Sequence, residues 1–261
     1  MTPFLAYEDK GDARSPRLPL VLVHGHPFDR TMWAPQIEAF SAGRRVIAPD
    51  LRGYGASPVV PGVTLLPDHT QDVASLLDDL KVEEFVLAGL SMGGQIAMDL
   101  LWQFPHRVRG LVLADTFAAP ETPGGRLARG EMAGRLLAEG MRGYADEVLE
   151  KMVAPYAAPA VKAHVHRMMT ATSPEGAAAA LRGRAERPDY RPLLARADVP
   201  ALVVVGADDT YTPVADAQAM HAALPDSVLT VIEGAAHLPN LERPKEFNAA
   251  LADFLARIDG V

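Results

Sequence analysis

The chain has 261 residues, 49% of them hydrophobic, which suits one full-size core domain or a core with a modest insertion. It has no cysteine, so thiol catalysis, disulfides and cysteine-ligated metals are excluded, and its formal charge of −8 lacks the basic footprint of a nucleic-acid binder. No apolar stretch approaches a membrane span, and residues 1–10 include Glu8 and Asp9 instead of the apolar run of a secretory signal, so a cytoplasmic chain with no membrane partner is expected.

Along the chain, an apolar run over residues 18–24 opens an alternation of strand-like and helical patterns. A helical pattern at 32–40 follows, then a run at 45–49, a helix at 70–80, a run at 84–88, a helix at 92–104 and a run at 108–114. The runs are apolar on both faces, as buried parallel strands are. The alternation breaks over 116–192, where six prolines from Pro120 to Pro188 punctuate three or four short helical patterns. Pairs such as Val148 with Met152 and Val161 with Val165 carry the helical spacing there. It resumes with a run at 201–205, a helix at 214–224, a run at 228–232 and a helix at 244–258. The prediction is an α/β fold with a mostly parallel, doubly wound sheet and an inserted helical cap. Its organisation is a first core part over 1–117, the cap over 118–190 and a second core part over 191–261.

Gly89-Leu90-Ser91-Met92-Gly93 directly follows one apolar run and directly precedes a helical pattern. A G-x-S-x-G turn between strand and helix forces its serine into a strained conformation, and side chains in place of Gly89 and Gly93 would collide. The turn lifts the Ser91 hydroxyl to a helix N-terminus, where developing negative charge is favoured. Ser91 is therefore the candidate nucleophile.

A serine nucleophile needs a base, and in this fold the triad runs Ser, acid, His along the chain. Two histidines follow the last runs. His221 sits within a helical pattern and reads as structural. His237 lies in the loop Gly234-Ala235-Ala236-His237-Leu238-Pro239 just after the 228–232 run, where open α/β sheets place their chemistry, so it is the candidate base. The loop after 201–205 reads Gly206-Ala207-Asp208-Asp209-Thr210, and position alone does not separate its two carboxylates.

Taken together, the ordered motifs Val23-His24-Gly25-His26-Pro27, Asp50-Leu51-Arg52-Gly53-Tyr54-Gly55, Gly89 to Gly94, Gly206 to Pro213 and Gly234 to Pro239 resemble those of the α/β-hydrolase superfamily. The chain looks most like bacterial esterases grouped with enol-lactonases and cofactor-free haloperoxidases or perhydrolases, over all but the cap. The resemblance implies Asp209 as the acid, because Gly206, Asp209 and Pro213 match the family spacing. It also implies an oxyanion hole from the backbone N–H groups of His26 and Met92. Relatives that put Asp at the position of Ser91 form alkyl-enzymes, so Ser91 points to acyl chemistry. Pro27 accompanies peroxide use in related perhydrolases and also occurs in plain esterases.

The function so implied is a serine carboxylic ester hydrolase acting through an acyl-enzyme, with no metal and no cofactor; the apolar, Met-rich composition of the cap adds the expectation of small to medium, mainly hydrophobic esters. The alternatives are a lactonase for enol-lactones or acyl-homoserine lactones, a cofactor-free perhydrolase or haloperoxidase, and a non-enzymatic binding module. The partner in every enzymatic case is a small-molecule ester or lactone. Five of the ten methionines fall in the cap, and Met132 and Met141, with Pro27 and Trp33, are candidate substrate-binding residues, against the plain reading that they pack cap on core. His164 and His166 lack the longer metal-lactonase pattern and read as surface histidines.

Overall fold

Alternate residues of the apolar runs face opposite sides, so each run feeds two cores. The computed structural model describes residues 4–260. The expectations for the extreme N-terminus and for the outer limits of the two core parts fall partly on residues 1–3 and 261, outside the described residues. Seven strands form one sheet: β1 (Tyr7–Lys10), β2 (Leu20–Val23), β3 (Val46–Pro49), β4 (Phe85–Leu90), β5 (Val108–Ala114), β6 (Ala201–Gly206) and β7 (Ser227–Ile232). Their order is β1-β3-β2-β4-β5-β6-β7. Only β1 is antiparallel to its neighbour, β3, and the other pairings are parallel. The expected doubly wound α/β fold is borne out.

Val21, Val23, Leu87, Val203 and Val205 point into one core, which they share with α2 (Leu66–Asp79), α3 (Met92–Gln103) and α9 (Val214–Ala223). Leu20, Leu22, Val86, Ala88, Leu202 and Val204 point into the other, under α1 (Ala34–Phe40) and α11 (Pro244–Asp259). Four helices lie between β5 and β6: α4 (Pro123–Glu139), α5 (Met141–Met152), α6 (Pro159–Ala171) and α7 (Pro174–Arg184). Short helices α8 (Arg191–Leu194) and α10 (Pro239–Glu242) complete the chain.

Several boundaries differ from expectation for local reasons. The helix expected at 32–40 is a 3-10 turn, Arg30–Trp33, running into α1; Asp29 accepts from the Thr31 N–H at 2.8 Å to start the turn. α2 begins four residues before the expected 70, because Pro67 suits a first turn and Asp68 accepts from the Leu65 N–H at 2.8 Å. The run at 228–232 is an edge strand, so Val228 and Val231 are exposed on it instead of buried. Among the described residues no helix is long and apolar enough to cross a membrane.

Candidate active site

The strand order reverses at β2: β3 lies on one side of it and β4 on the other. At such a switch point the loops leaving neighbouring strands part and leave a crevice at the strands' C-terminal ends. Ser91 stands there, between β4 and α3, with φ 56° and ψ −116°. This is strained backbone for a serine, costing about 1–3 kcal/mol. Its neighbours allow nothing larger than glycine: a Cβ on Gly93 would lie 2.1 Å from the Val23 carbonyl oxygen, and one on Gly89 would lie 2.1 Å from that of Gly93. Bonds from both sides lock the turn. The Ser91 N–H donates to the Ala114 carbonyl at 2.9 Å, and the Thr116 hydroxyl donates to the Ser91 carbonyl at 2.7 Å.

Two strands along, the loops after β6 and β7 meet. His237 is buried, and its Nδ1 donates to Asp209 Oδ2 at 2.8 Å. The other Asp209 oxygen accepts from the N–H groups of Tyr211 and Thr212 at 2.7 and 3.0 Å. Burial raises the Asp209 carboxyl, but the His237 imidazole and the bonds from Thr212 outweigh it and hold the group below its ordinary range. Of the two adjacent aspartates, Asp209 is thus the one that faces His237; Asp208 turns outward and accepts from the Tyr156 hydroxyl. The Tyr211 ring closes on the imidazole edge-on, with centroids 5.1 Å apart.

Two further carboxyls sit here without a sequence signal. Asp115, at the end of β5 with φ 43°, accepts from the Gly206 N–H at 2.9 Å. Burial, and then the Asp209 charge, push its pKa well above the carboxylate range. Asp115, Asp209 and His237 offer atoms within 4.8 Å of one another, a metal-like grouping that hydrogen bonds of Asp209 to His237, Tyr211 and Thr212 already knit together. Glu242 of α10 accepts from the N–H groups of Ala236 and Leu238 at 3.0 and 3.3 Å, on either side of His237. It also takes the Ala154 N–H at 2.7 Å, tying the α5–α6 link to the histidine loop.

The loop after β2 closes over Ser91: a Cβ on Gly25 would lie 3.1 Å from Ser91 Cβ. His26 follows, buried, with Nδ1 2.7 Å from the Tyr54 hydroxyl. Burial, then the charges of Arg184 and Arg129, hold the His26 ring well below the imidazole range, so it is neutral. Met92 opens α3, where an N–H has no carbonyl one turn back to bond. The Pro27 carbonyl accepts from the Thr172 hydroxyl at 3.0 Å, joining this loop to the end of α6. The remaining candidates lie among packing contacts. Trp33 is fully buried with its ring against Phe247, centroids 6.1 Å apart. Met141 belongs to a cluster with Ala133, Leu136 and Leu181, and Met132 leans on the same cluster. His166 pairs with Asp146 across α5 and α6 at 2.7 Å, and His164 reaches Thr31, so both are half-buried instead of free at the surface.

The helical segment brings arginines to this site where composition suggested an apolar lining. Arg184, at the end of α7, is 2% exposed and donates from Nε to Gln95 Oε1 at 3.2 Å. Arg187 stacks on Phe117 at 4.4 Å and lies 3.6 Å from Glu121, which also pairs with Arg129. Burial and the Arg184 charge push the Arg187 guanidinium down to about 10. Burial raises the Tyr211 phenol, yet Arg184 and Arg129 outweigh it and lower that group below its usual range.

The family model described as "Alpha/beta hydrolase family" matches residues 20–250. The chain is 31% identical over 258 residues to 3-oxoadipate enol-lactonase 2 of Acinetobacter baylyi, covering 98% of this chain and 94% of that one. A thermophilic esterase from Thermogutta terrifontis, solved with malate bound, superposes with a TM-score of 0.94 at 39% identity, covering 97% of this chain and 93% of that one. The enol-lactonase from Burkholderia xenovorans LB400 superposes at 0.88 with 30% identity, covering 97% and 96%.

Proposed function

The chain belongs to the alpha/beta hydrolase family, and from that membership we propose that it is a serine carboxylic ester hydrolase acting through an acyl-enzyme, with Ser91, His237 and Asp209 as its triad. The observation that carries this reading is the buried 2.8 Å bond from His237 Nδ1 to Asp209, at the strand ends that also present Ser91 on its strained turn. With Nδ1 donating to a carboxylate, Nε2 is left as the basic nitrogen. It takes the Ser91 proton as Oγ attacks the ester carbonyl, and Asp209 stabilises the imidazolium. The N–H groups of His26 and Met92 hold the oxyanion; each such donor is worth about 3–4 kcal/mol of barrier in related chemistry. The imidazolium protonates the departing alcohol; the neutral imidazole then takes a proton from water as that water attacks the acyl carbon, and returns it to Ser91 Oγ as the acyl bond breaks and the acid leaves.

The two enol-lactonase relatives favour a second form of the same chemistry, in which the ester is a ring and both products stay in one molecule. The arginines of the helical segment count against the mainly apolar acyl groups expected from composition.

Ser91→Ala is expected to lower turnover of p-nitrophenyl acetate by about a thousandfold or more with circular dichroism unchanged. A fluorophosphonate is expected to label the wild-type chain and not this variant. Full turnover in Ser91→Ala sinks the proposal.

A further inference from the structure

Arg184 is a charge buried without a counter-charge. Arg129, Arg187, Gln95, Tyr211, Tyr54 and Tyr144 act on it, and no carboxylate forms an ion pair with it among the described residues. Two neighbouring guanidiniums, those of Arg129 and Arg187, share the carboxylate of Glu121, which makes no ion pair with Arg184 among the described residues. Taking a cation out of water is costly unless it is paired and its protons are satisfied. Arg187 has a nearby counter-charge, Glu121 at 3.6 Å, with the Ala119 carbonyl at 3.0 Å and the face of Phe117, while its Nη1 and Nη2 make no hydrogen bond among the described residues. Arg184 has no carboxylate beside it: its Nε donates to Gln95, its guanidinium also acts on the Tyr211 hydroxyl, and its Nη2 has no partner among the described residues.

Nearby, Gln95 Nε2, His26 Nε2 and both Arg187 Nη atoms are equally unpartnered among the described residues. Because Arg184 donates to Gln95 Oε1, the Gln95 amide nitrogen keeps both its protons free. Burial pushes the Tyr54 phenol far up, so it stays protonated 2.7 Å from His26 Nδ1, and His26 Nε2 is left unpartnered among the described residues. Donors on Arg184, Arg187 and Gln95 are therefore buried without hydrogen-bond acceptors among the described residues, and two of the three side chains are cations. The Arg184–Gln95 pair and His26 border the reacting groups. Gln95 is one helical turn beyond Ser91 on α3, and its N–H bonds the Ser91 carbonyl at 3.2 Å. His26 follows the Gly25 that touches Ser91. Tyr211, which feels both Arg184 and Arg129, lies against His237.

We propose that Arg184, with Gln95, His26 and Arg129 beside it, forms an anion subsite that takes a free carboxylate carried by the ester or lactone being cleaved. The inference rests on the reading of Ser91 as the nucleophile of an ester hydrolase, and it narrows the substrate class to carboxylate-bearing esters. A planar guanidinium matches a carboxylate in two parallel bonds, and in a water-poor site such a pair discriminates strongly against a neutral chain of equal length.

The test compares monomethyl glutarate with methyl pentanoate by acid release. Wild-type kcat/KM is expected to favour the glutarate ester, and Arg184→Met to cut the glutarate-to-pentanoate ratio by at least about tenfold, one charge-assisted bond's worth. Arg184→Lys should keep part of the ratio, since it keeps the charge and loses the fork. Should Arg184→Met fail to fold, Arg129→Gln must lower the same ratio. A ratio that favours pentanoate in the wild type, or one that these substitutions leave alone, overturns the subsite while the serine mechanism stands. Binding is read separately in the Ser91→Ala chain, where glutarate should raise Tm and should do so less once Arg184→Met is added. No glutarate shift in the Ser91→Ala chain, or an equal shift from inorganic phosphate, also overturns a carboxylate subsite. If neither ester is cleaved in a Ser91-dependent way, it is the hydrolase reading that fails, whatever the glutarate shift.

Discussion

At the scale of single residues, Asp115 tests how the histidine–aspartate pair is held. Its carboxyl sits between the Gly206 N–H and the neighbouring Asp209 charge. Two buried carboxyls this close do not both ionise, and Asp209, bonded to His237 and Thr212, keeps the charge. Because the folded pKa of Asp115 is raised, the folded chain retains a proton that the unfolded chain has released above the ordinary carboxylate range. Stability from this group is therefore lost as pH rises toward the folded pKa. Asp115→Asn removes the titration and keeps an oxygen for Gly206. Its Tm is expected to gain on the wild type as pH rises above the ordinary carboxylate range, each unit of pKa difference being worth about 1.4 kcal/mol, or about 2–4 °C in a chain this size. A Tm difference that does not change with pH means that Asp115 is ionised in the folded chain. Asp115 also shows what the sequence leaves unreadable. Ser91 and His237 stand out as candidates because a glycine-flanked serine and a loop histidine directly follow apolar runs. Asp115 and Glu242 follow no motif, and their role comes from neighbours far along the chain. Arg184 reads as a solvated helix end, and only the docking of α7 beside Gln95, 89 residues earlier, buries it.

At the scale of elements, strands with apolar faces on both sides were legible because burial demands it of their residues. β1 was not, since Tyr-Glu-Asp-Lys has no apolar run and is a strand only by its pairing with β3. The docking of α7 was equally hidden. It depends on the near absence of side chain at Gly176, where a Cβ would lie 2.1 Å from the Gly53 carbonyl oxygen, and the Thr64 N–H bonds the Ala179 carbonyl at 3.0 Å alongside. Gly176→Ala should therefore push α7 off the Gly53 loop at a cost of about 1–3 kcal/mol, a fall in Tm of about 2–10 °C. Arg184 rides on the same helix, so KM for monomethyl glutarate should rise more than kcat falls. Gly124→Ala on α4 has nothing within 4 Å and should be close to neutral. Since Ala is the better helix former, a loss at Gly176 no larger than that at Gly124 would show that the close approach to Gly53 does not set the cost.

At the scale of the whole molecule, the question is whether the helices between β5 and β6 stand apart from the sheet. They own only a small cluster, with Ala133, Leu136, Met141, Ala177, Ala178 and Leu181 at its centre. Their larger apolar groups are spent elsewhere: Val165, Met168 and Met169 join the core that holds Phe28, Met32 and Trp33, and Ala180 joins the opposite core. Glu242 and Thr172 add hydrogen bonds across the same seam. A cluster that small does not offset the chain entropy of four helices, so the segment is not expected to fold or melt by itself. Denaturant unfolding should then follow one transition. Far-UV circular dichroism, to which these four helices contribute heavily, should coincide with the fluorescence of buried Trp33, while exposed Trp102 contributes little change. Loss of helical signal ahead of Trp33 would mean that the segment unfolds first and that the seam is weaker than its shared cores imply. The same seam carries Arg184 and His26, so a coincident transition ties substrate choice to global stability. Substitutions anywhere along the seam would then move Tm and the glutarate-to-pentanoate ratio together, whereas a segment that melts early would let the ratio collapse while the sheet still stands.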